Sequence, residues 1–351
     1  MIYKSILSNN LLLNQKKIFS LISSIVNKHP FFVVIILHEY LRNIEPHDPH
    51  IKFKIIDPKK RILKLQKQII EFIKIIKLFG YYDLKFDLSK KNFLFETAKA
   101  FSDRNENVYL KGKYKIKQEI FKIKKSLELR FKNLNFPLKK IKNLKVLDAG
   151  CGPGRFTYVL GSYQPKKIYG LDLSSENIKI ANKVFKRKNI QYLQGNVLKL
   201  PFKKESFDFV YSSGVIHHTS NFKKGLKELI RVSKKNGYIY LYIYADGGIY
   251  WRARATMNKI MKKIPQSYTQ KVLDLIGMPR TRLLFLDLWY VPVEKHTSYK
   301  EIVKMLNKHG ISKIKRVSSG AAYDHSTAIS KYKKVGKSIW GEGDIRLLFQ
   351  K

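Results

Sequence analysis

The stretch VLDAGCGPGRFT, residues 146–157, joins an apolar strand to a glycine-rich turn and the start of a helix. Its glycines, Gly150, Gly152 and Gly154, let the backbone turn tightly and come close to a ligand, because no Cβ stands in the way. Asp148, two residues before the turn's first glycine, suits the cationic end of a ligand better than a phosphate. The stretch therefore predicts a ligand site at the end of a buried strand.

The spacing of these glycines argues against a dinucleotide site. The fingerprint for pyrophosphate binding, G-x-G-x-x-G, needs its third glycine at Arg155 when it starts at Gly150, and at Thr157 when it starts at Gly152. Neither position holds a glycine, so the sequence disfavours a pyrophosphate ligand.

From residue 144 onward, short apolar runs alternate with helical stretches. The helices are predicted to begin near Arg155, Ser174 and Asn221. Such alternation indicates βαβ units and a parallel sheet with helices on both faces. We therefore predict an α/β, doubly wound, Rossmann-like fold with a mostly parallel seven-stranded sheet. The predicted strands are LKVLDAG, KKIYGLDL, NIQYLQG, SFDFVYSSG and GYIYLYIY, with ISKIKRV and DIRLLFQ as a closing antiparallel hairpin.

The chain is predicted to fall into four segments. Residues 1–110 form an N-terminal helical addition of unknown role, 111–248 the core with the ligand site, 249–296 a helical lid, and 297–351 the C-terminal part of the core. The clearest N-terminal element is 59–79, where apolar residues recur at helical spacing opposite lysines. This helix either packs its apolar face on a neighbour or lies on a membrane surface.

Composition narrows the class of partner. The chain has 351 residues and a formal net charge of +44, which favours nucleic acid, anionic lipid or an anionic substrate. The basic residues are mostly scattered lysines, a pattern that AT-rich coding sequences also produce, so specific nucleic-acid binding is not expected. The longest apolar run, FFVVIIL at 31–37, is shorter than the about 20 residues of a membrane span. With one cysteine, Cys151, and no secretory signal, we expect a cytoplasmic protein without a transmembrane segment, while peripheral membrane contact stays open.

Three further motifs follow the glycine turn in order. GLDLS at 170–174 places Asp172 at the tip of the second strand, where a carboxylate can accept both hydroxyls of a ribose. QGNVLKLPF at 194–202 and FDFVYSSGVIHHT at 207–219 lie at the next two strands. Together with the glycine turn, these motifs resemble class I S-adenosylmethionine-dependent methyltransferases, of the small-molecule type related to ubiquinone and menaquinone biosynthesis.

The resemblance covers about 145–245 well and 297–351 more loosely, and it implies S-adenosyl-L-methionine as the cofactor. In this family the first motif cradles the methionine end, the second strand holds the ribose and the third holds the adenine amino group. The family usually has an acidic residue where this chain has Asn196, whose amide oxygen can still accept from that amino group. The implied cofactor-binding residues are Asp148, Gly150, Cys151, Gly152, Gly154, Asp172, Leu173, Asn196, Val197, Ser212 and Ser213.

His217 and His218 follow the fourth strand and are the candidate catalytic residues. Two interpretations stay open: a histidine acts as a base or orients the acceptor at the mouth of the site, or it packs against the sheet edge. A metal pair would need further ligands at fixed geometry, and no cluster of Cys, His and Glu accompanies these residues, so no metal is expected.

The lid is the natural place for choice of acceptor, because ligands of doubly wound sheets bind beyond the carboxyl ends of the strands. Within it we predict helices at 251–263 and 267–276. Its aromatic and arginine side chains either form a pocket for a carboxylate or phosphate, or are solvated residues of a helical lid. The candidate acceptor-binding residues are Arg252, Arg254, Trp289, Tyr290 and His296, and the same segment contains Arg280 and Arg282.

The predicted function is methyl transfer (an enzyme of EC 2.1.1 type) to a small or lipid-linked metabolite, an anionic one included, on oxygen, nitrogen or carbon. An RNA methyltransferase is the alternative that the charge favours. However, the fourth motif lacks the N/D-P-P-Y/F of adenine-N6 enzymes, and there is no Pro-Cys nucleophile for C5 methylation. A non-catalytic cofactor-binding scaffold is a third alternative, against which the intact glycine turn and Asp172 argue. The sequence does not predict the oligomeric state.

Overall fold

The computed structural model describes residues 2–44, 58–77, 116–275, 289–321 and 324–351. The chain divides into two compact units, each assembled from separate stretches of sequence. The first unit contains Met1–Lys91, Asp246–Val291 and Ala322–Gly343, and the second contains Asn92–Ala245, Pro292–Ala321 and Asp344–Lys351. The four-segment division predicted from the sequence stays a prediction.

The second unit is built on a seven-stranded sheet with the order β3-β2-β1-β4-β5-β7-β6 within the described residues. Strands β1 to β5 pair in parallel, and β7 is antiparallel to both β5 and β6. The predicted doubly wound, mostly parallel sheet is therefore confirmed. The strands are β1 Lys145–Ala149, β2 Lys167–Asp172, β3 Ile190–Gln194, β4 Phe207–Ser213, β5 Ser233–Tyr244, β6 Ile314–Arg316 and β7 Asp344–Gln350.

Three helices begin where the sequence predicts and connect strands of the sheet: α5 Arg155–Gly161, α6 Ser175–Val184 and α7 Phe222–Val232. Helix α4 Ile116–Asn133 precedes β1, and α10 Tyr299–Asn307 lies between β5 and β6 in the chain. Ser174, Asn221 and Ser298 cap three of them by accepting a backbone N–H, which satisfies a donor at the helix start. The strand order reverses between β1 and β4, and ligands of such sheets bind at this crevice.

The closing strands pair antiparallel as predicted, but they are not joined by a tight turn. A further helix, α11 His325–Trp340, lies between β6 and β7 in the chain and was not predicted. Its sequence, HSTAISKYKKVGKSIW, spaces apolar residues three or four positions apart, so a helical signal was present there and was missed.

The first unit is helical in its described part. The predicted helix at 59–79 is α3 Pro58–Ile76, and the predicted lid helices are α8 Gly248–Met261 and α9 Gln266–Leu275. The two helices before α3, α1 Ile2–Ile25 and α2 Pro30–Ile44, were not individually located from the sequence. In the described ranges, no helix combines the length and the apolar character that crossing a membrane requires.

The apolar face of α3 is used for packing. Ile62, Ile69 and Ile73 are buried on it, and α3 contacts α1 and α2. Gln66 on the same face donates to the carbonyl of Leu11 at 3.0 Å and to the hydroxyl of Tyr40 at 2.8 Å. The apolar face of this amphipathic helix therefore packs against neighbouring helices of the protein, which agrees with the first of the two interpretations.

Helix α4 is anchored to the sheet through aromatic contacts. The ring of Phe131 is buried and lies 4.9 Å from that of Tyr240, with Phe209 6.1 Å away. Tyr240 in turn stacks on Tyr211 at 4.9 Å. These contacts join α4 to the two central strands β4 and β5.

Substitution of Phe131 by Ala should destabilise the protein by about 3–5 kcal/mol, because a large ring leaves a cavity in this cluster. Chemical denaturation measures the change in the free energy of unfolding. Phe121 on the same helix is 67% exposed and provides the matched control, for which Phe121→Ala should cost no more than about 0.5 kcal/mol. Equal losses for the two variants would contradict this account of how α4 is anchored.

Candidate functional site

The glycine turn after β1 is shaped by positive φ angles at Gly150 (+85°), Gly152 (+54°) and Gly154 (+91°). At Gly150 a Cβ would lie 2.3 Å from a methyl carbon of Val215, so the turn excludes any side chain there. At Gly152 a Cβ would meet nothing within 4 Å. The turn is thus closed on the side of Gly150 and open beside Gly152, where a ligand can approach the backbone.

Asp172, at the end of β2, fixes the open part of this turn. Its Oδ2 accepts the backbone N–H of Gly152 at 2.8 Å, and its Oδ1 accepts the N–H of Ser174 at 3.0 Å and the amide of Asn177 at 3.1 Å. Burial raises the pKa of the Asp172 carboxyl, and these hydrogen bonds act in the opposite direction. Asp172 is therefore next to the open turn, as the resemblance implies, and also helps to build it.

Asp148 lies inside the same site. It is buried, and Thr157 donates its hydroxyl to Oδ2 at 2.6 Å. Burial raises the pKa of the Asp148 carboxyl to about 7, with the negative charge of Asp172 adding to the rise. A cation bound beside these two carboxyl groups would favour their ionised forms.

The remaining predicted cofactor residues occupy the ends of β2, β3 and β4. Leu173 is exposed and Val197 is buried. Asn196 uses its amide oxygen to accept the N–H of Leu198 at 2.8 Å, which leaves one lone pair of that oxygen for a ligand. The buried Ser212 donates to the carbonyl of Ala149 at 3.1 Å, so it ties β4 to the last residue of β1.

The last two predicted cofactor residues, Ser213 and Cys151, differ in burial. Ser213 is partly buried at the last position of β4. Cys151 is buried, and burial raises the pKa of its thiol well above the usual value. A neutral buried thiol packs as a small apolar side chain and is a poor nucleophile.

Beyond β4 and β5, the structure brings together three histidines that the sequence assigned to different roles. The ring of the buried His217 lies 3.9 Å from that of Tyr244 and 4.1 Å from that of His218. The ring of His296 lies 6.4 Å from that of Tyr244. His218 contacts the carbonyl oxygen of Val293 through Nδ1 at 2.9 Å.

The His296 side chain is held by a carboxylate that sequence reasoning missed. Its Nε2 lies 2.6 Å from Oε1 of Glu294, and both side chains are mostly shielded from solvent. Glu294 is separated from His217 by more than seventy residues, and no motif points to it, so only the fold reveals this pair.

The other candidate acceptor residues belong to the first unit. Arg254 is 2% exposed, with its guanidinium 5.2 Å from the ring centre of Trp251, and Trp289 is fully buried. Tyr290 donates its hydroxyl to the carbonyl of Ile264 at 2.9 Å. These three side chains pack inside the helical unit, whereas Arg252 is exposed on α8. Arg280 and Arg282 lie outside the described residues.

Among the residues that the structure describes, no group of three or more His, Cys, Asp or Glu side chains could hold a metal ion.

The residues present fit S-adenosylmethionine. The open side of Gly152 admits a ligand to the backbone, and the Asp148 carboxyl provides a partner for positive charge. Asp172 stands at the end of the next strand, within reach of a sugar bound against the turn.

Comparison with known proteins agrees with this geometry. Residues 147–241 match a family described as a methyltransferase domain. This part of the chain is similar to methyltransferase domains, and the resemblance implies S-adenosylmethionine as the cofactor.

Three relatives illustrate the similarity. The demethylmenaquinone methyltransferase of Lactococcus lactis is 41% identical over 99 residues, which are 27% of this chain and 39% of that protein. The enzyme of the same name from Chlorobaculum tepidum is 29% identical over 170 residues, 48% of this chain and 66% of that protein. The malonyl-[acyl-carrier protein] O-methyltransferase of Legionella pneumophila is 32% identical over 145 residues, 40% of this chain and 47% of that protein. The chain thus spans less than two thirds of the length of the relatives it matches.

Substitution of Asp172 by Ala should weaken S-adenosylmethionine binding at least about tenfold, because hydrogen bonds to a charged group contribute about 1.5–3 kcal/mol each. Isothermal titration calorimetry measures the affinity. Asp208→Ala is the matched control, because Asp208 lies at the opposite end of the sheet and binds Lys145 and Lys234. Unchanged affinity in Asp172→Ala would remove Asp172 from the cofactor site.

Cofactor binding should release a proton from Asp148 near neutral pH. The carboxyl is mostly protonated at about pH 6.5 because its pKa is about 7, and a positively charged ligand lowers that pKa. At about pH 8.5 the carboxyl is already ionised, so little proton release remains. Calorimetry in buffers of different ionisation enthalpy counts the protons.

Asp148→Asn is the control for this measurement and should abolish the release at the lower pH. The same proton release in wild type and in Asp148→Asn would show that another group titrates.

Proposed function

We propose that this protein transfers the methyl group of S-adenosylmethionine to a small or lipid-linked metabolite. The observation that carries the proposal is the glycine turn held open at Gly152 by the Asp172 carboxylate, with Asp148 beside it. When bound, the cofactor supplies an electrophilic methyl group on a positively charged sulfur.

Each residue of the site then has a binding task. Asp148 and the glycine turn hold the cationic methionine end, and Asp172 accepts the ribose hydroxyls. Asn196 accepts the adenine amino group through its remaining lone pair. The protein thereby aligns the methyl group with the acceptor, and alignment of this kind can contribute about 7–11 kcal/mol.

The relatives support a small or lipid-linked acceptor. Two are named for demethylmenaquinone and one for a malonyl group on an acyl carrier protein. An anionic acceptor suits the net charge of +44, and the exposed Arg252 stays a candidate for contacting it. The cytoplasm is the proposed location, since the chain has one cysteine and that cysteine is buried.

The test measures transfer of a labelled methyl group from S-adenosylmethionine to three probes: a naphthohydroquinone, a malonyl thioester and total RNA. We expect a methylated small molecule and no labelled RNA. Gly152→Val should abolish transfer, because its side chain enters the open space that the cofactor uses. Gly310→Val is the control, since Gly310 has a similar positive φ of +73° and equally open surroundings after α10.

Labelled RNA at physiological salt would favour the RNA alternative instead. Cofactor binding without transfer to any probe would favour the scaffold alternative.

A further inference from the structure

Glu294 and His296 form a carboxylate–imidazole pair in the second unit. We propose that His296, held by Glu294, is the base that takes a proton from the acceptor, and that the acceptor carries an acidic O–H or C–H group. Phenols, enols and activated carbons belong to this class. The inference rests on the proposed function and names the substrate class of the same site.

The geometry of the pair suits a base. The separation of 2.6 Å between Nε2 and Oε1 is that of a charge-assisted hydrogen bond. His296 is 15% exposed and Glu294 10%, so water screens the interaction weakly while part of the imidazole stays accessible. Because Glu294 accepts the proton on Nε2, the basic nitrogen is Nδ1.

The backbone around His296 fixes the pair at the carboxyl edge of the sheet. Lys295 donates its N–H to the carbonyl of His217 at 2.9 Å, and Thr297 donates to that of Tyr244 at 3.4 Å. Tyr244 ends β5, which pairs with β4, and β4 pairs with β1. At about 4.8 Å per strand, β5 lies roughly 10 Å across the sheet from β1, and Tyr244 extends three residues beyond the level of Ala149, where the glycine turn begins. The pair thus lies on the β5 side of the glycine turn, on the acceptor side of the cofactor.

His217 and His218, the histidines that the sequence proposed as catalytic, have contacts that favour a supporting role. His217 is fully buried against Tyr244, and its carbonyl receives the N–H of Lys295. His218 contacts the carbonyl of Val293. Both residues therefore hold the segment that carries His296.

The proposed step moves one proton from the acceptor to His296 and one methyl group from the cofactor to the acceptor. The acceptor's O–H or C–H proton passes to Nδ1 of His296, and the electron pair of that bond remains on the oxygen or carbon. That pair forms the new bond to the methyl carbon, and the pair of the methyl–sulfur bond stays on sulfur. Glu294 stabilises the imidazolium that results. A carboxylate acceptor has no proton to lose, so the base accelerates only acidic acceptors, by about 10²–10⁴-fold.

The experiment compares His296→Gln and Glu294→Gln with Glu39→Gln. Glu39 provides a matched control, because it contacts His38 at 3.2 Å in the helical unit and has no place in the site. The measurements are kcat and KM against pH with the naphthohydroquinone and malonyl thioester probes, cofactor affinity by calorimetry, and thermal stability.

We expect His296→Gln to lower kcat for the naphthohydroquinone by about 100-fold or more while cofactor affinity stays unchanged. Glu294→Gln should lower kcat for the same probe and alter its pH profile, because the negative partner that stabilises the imidazolium is lost. Glu294→Asp should restore part of the activity, and Glu39→Gln should behave like wild type.

Unchanged kcat in His296→Gln would overturn the inference, as would a loss of thermal stability in Glu294→Gln with an unaltered pH profile. Transfer only to the carboxylate oxygen of the malonyl thioester would overturn the acceptor class, because that oxygen has no proton to lose. In contrast, failure of the wild-type protein to bind S-adenosylmethionine would overturn the proposed function itself.

Discussion

The hydrogen bond from the N–H of Gly152 to the carboxylate of Asp172 is the contact on which the site depends. It joins the turn after β1 to the end of β2, and Ser174 and Asn177 join the same carboxylate to the start of α6. A buried carboxylate that accepts several hydrogen bonds strongly restrains the positions of its donors. The turn is therefore held in its open form by the same residue that is proposed to bind the ligand.

The sequence predicted the features that short-range patterns control. Apolar runs of strand length alternate with helical periods, and the glycines lie where the backbone needs positive φ, so the parallel sheet and the turn were found. The side chains that donate hydrogen bonds to the carboxyl groups of the site were not predicted. Thr157 was considered only as a position where the dinucleotide fingerprint would need a glycine, yet its hydroxyl donates a hydrogen bond to Asp148. Asn177, inside α6, gave no signal at all.

The lid shows why residue type alone misleads. Arginines and tryptophans near a ligand crevice suggest a recognition pocket, but the same side chains can cover each other inside a helical unit. Arg254 lies against Trp251, and Trp289 is buried. His296 is the candidate that lies at the sheet, and it is paired with Glu294. Glu294 is only two residues earlier in the chain, a spacing that corresponds to no helix face and to no known motif.

The two buried carboxyl groups also decide which ligands the site prefers. Burial raises the pKa of Asp148 and the negative charge of Asp172 adds to the rise, so the site opposes full ionisation of the pair when no cation is bound. A ligand with positive charge relieves this repulsion, while a neutral ligand of the same shape leaves it in place. In the proposed reaction, methyl transfer removes the positive charge from the cofactor sulfur, while the α-ammonium group of the methionine end keeps its charge. The product would therefore retain the attraction to Asp148 and lose only the part that the sulfonium contributes.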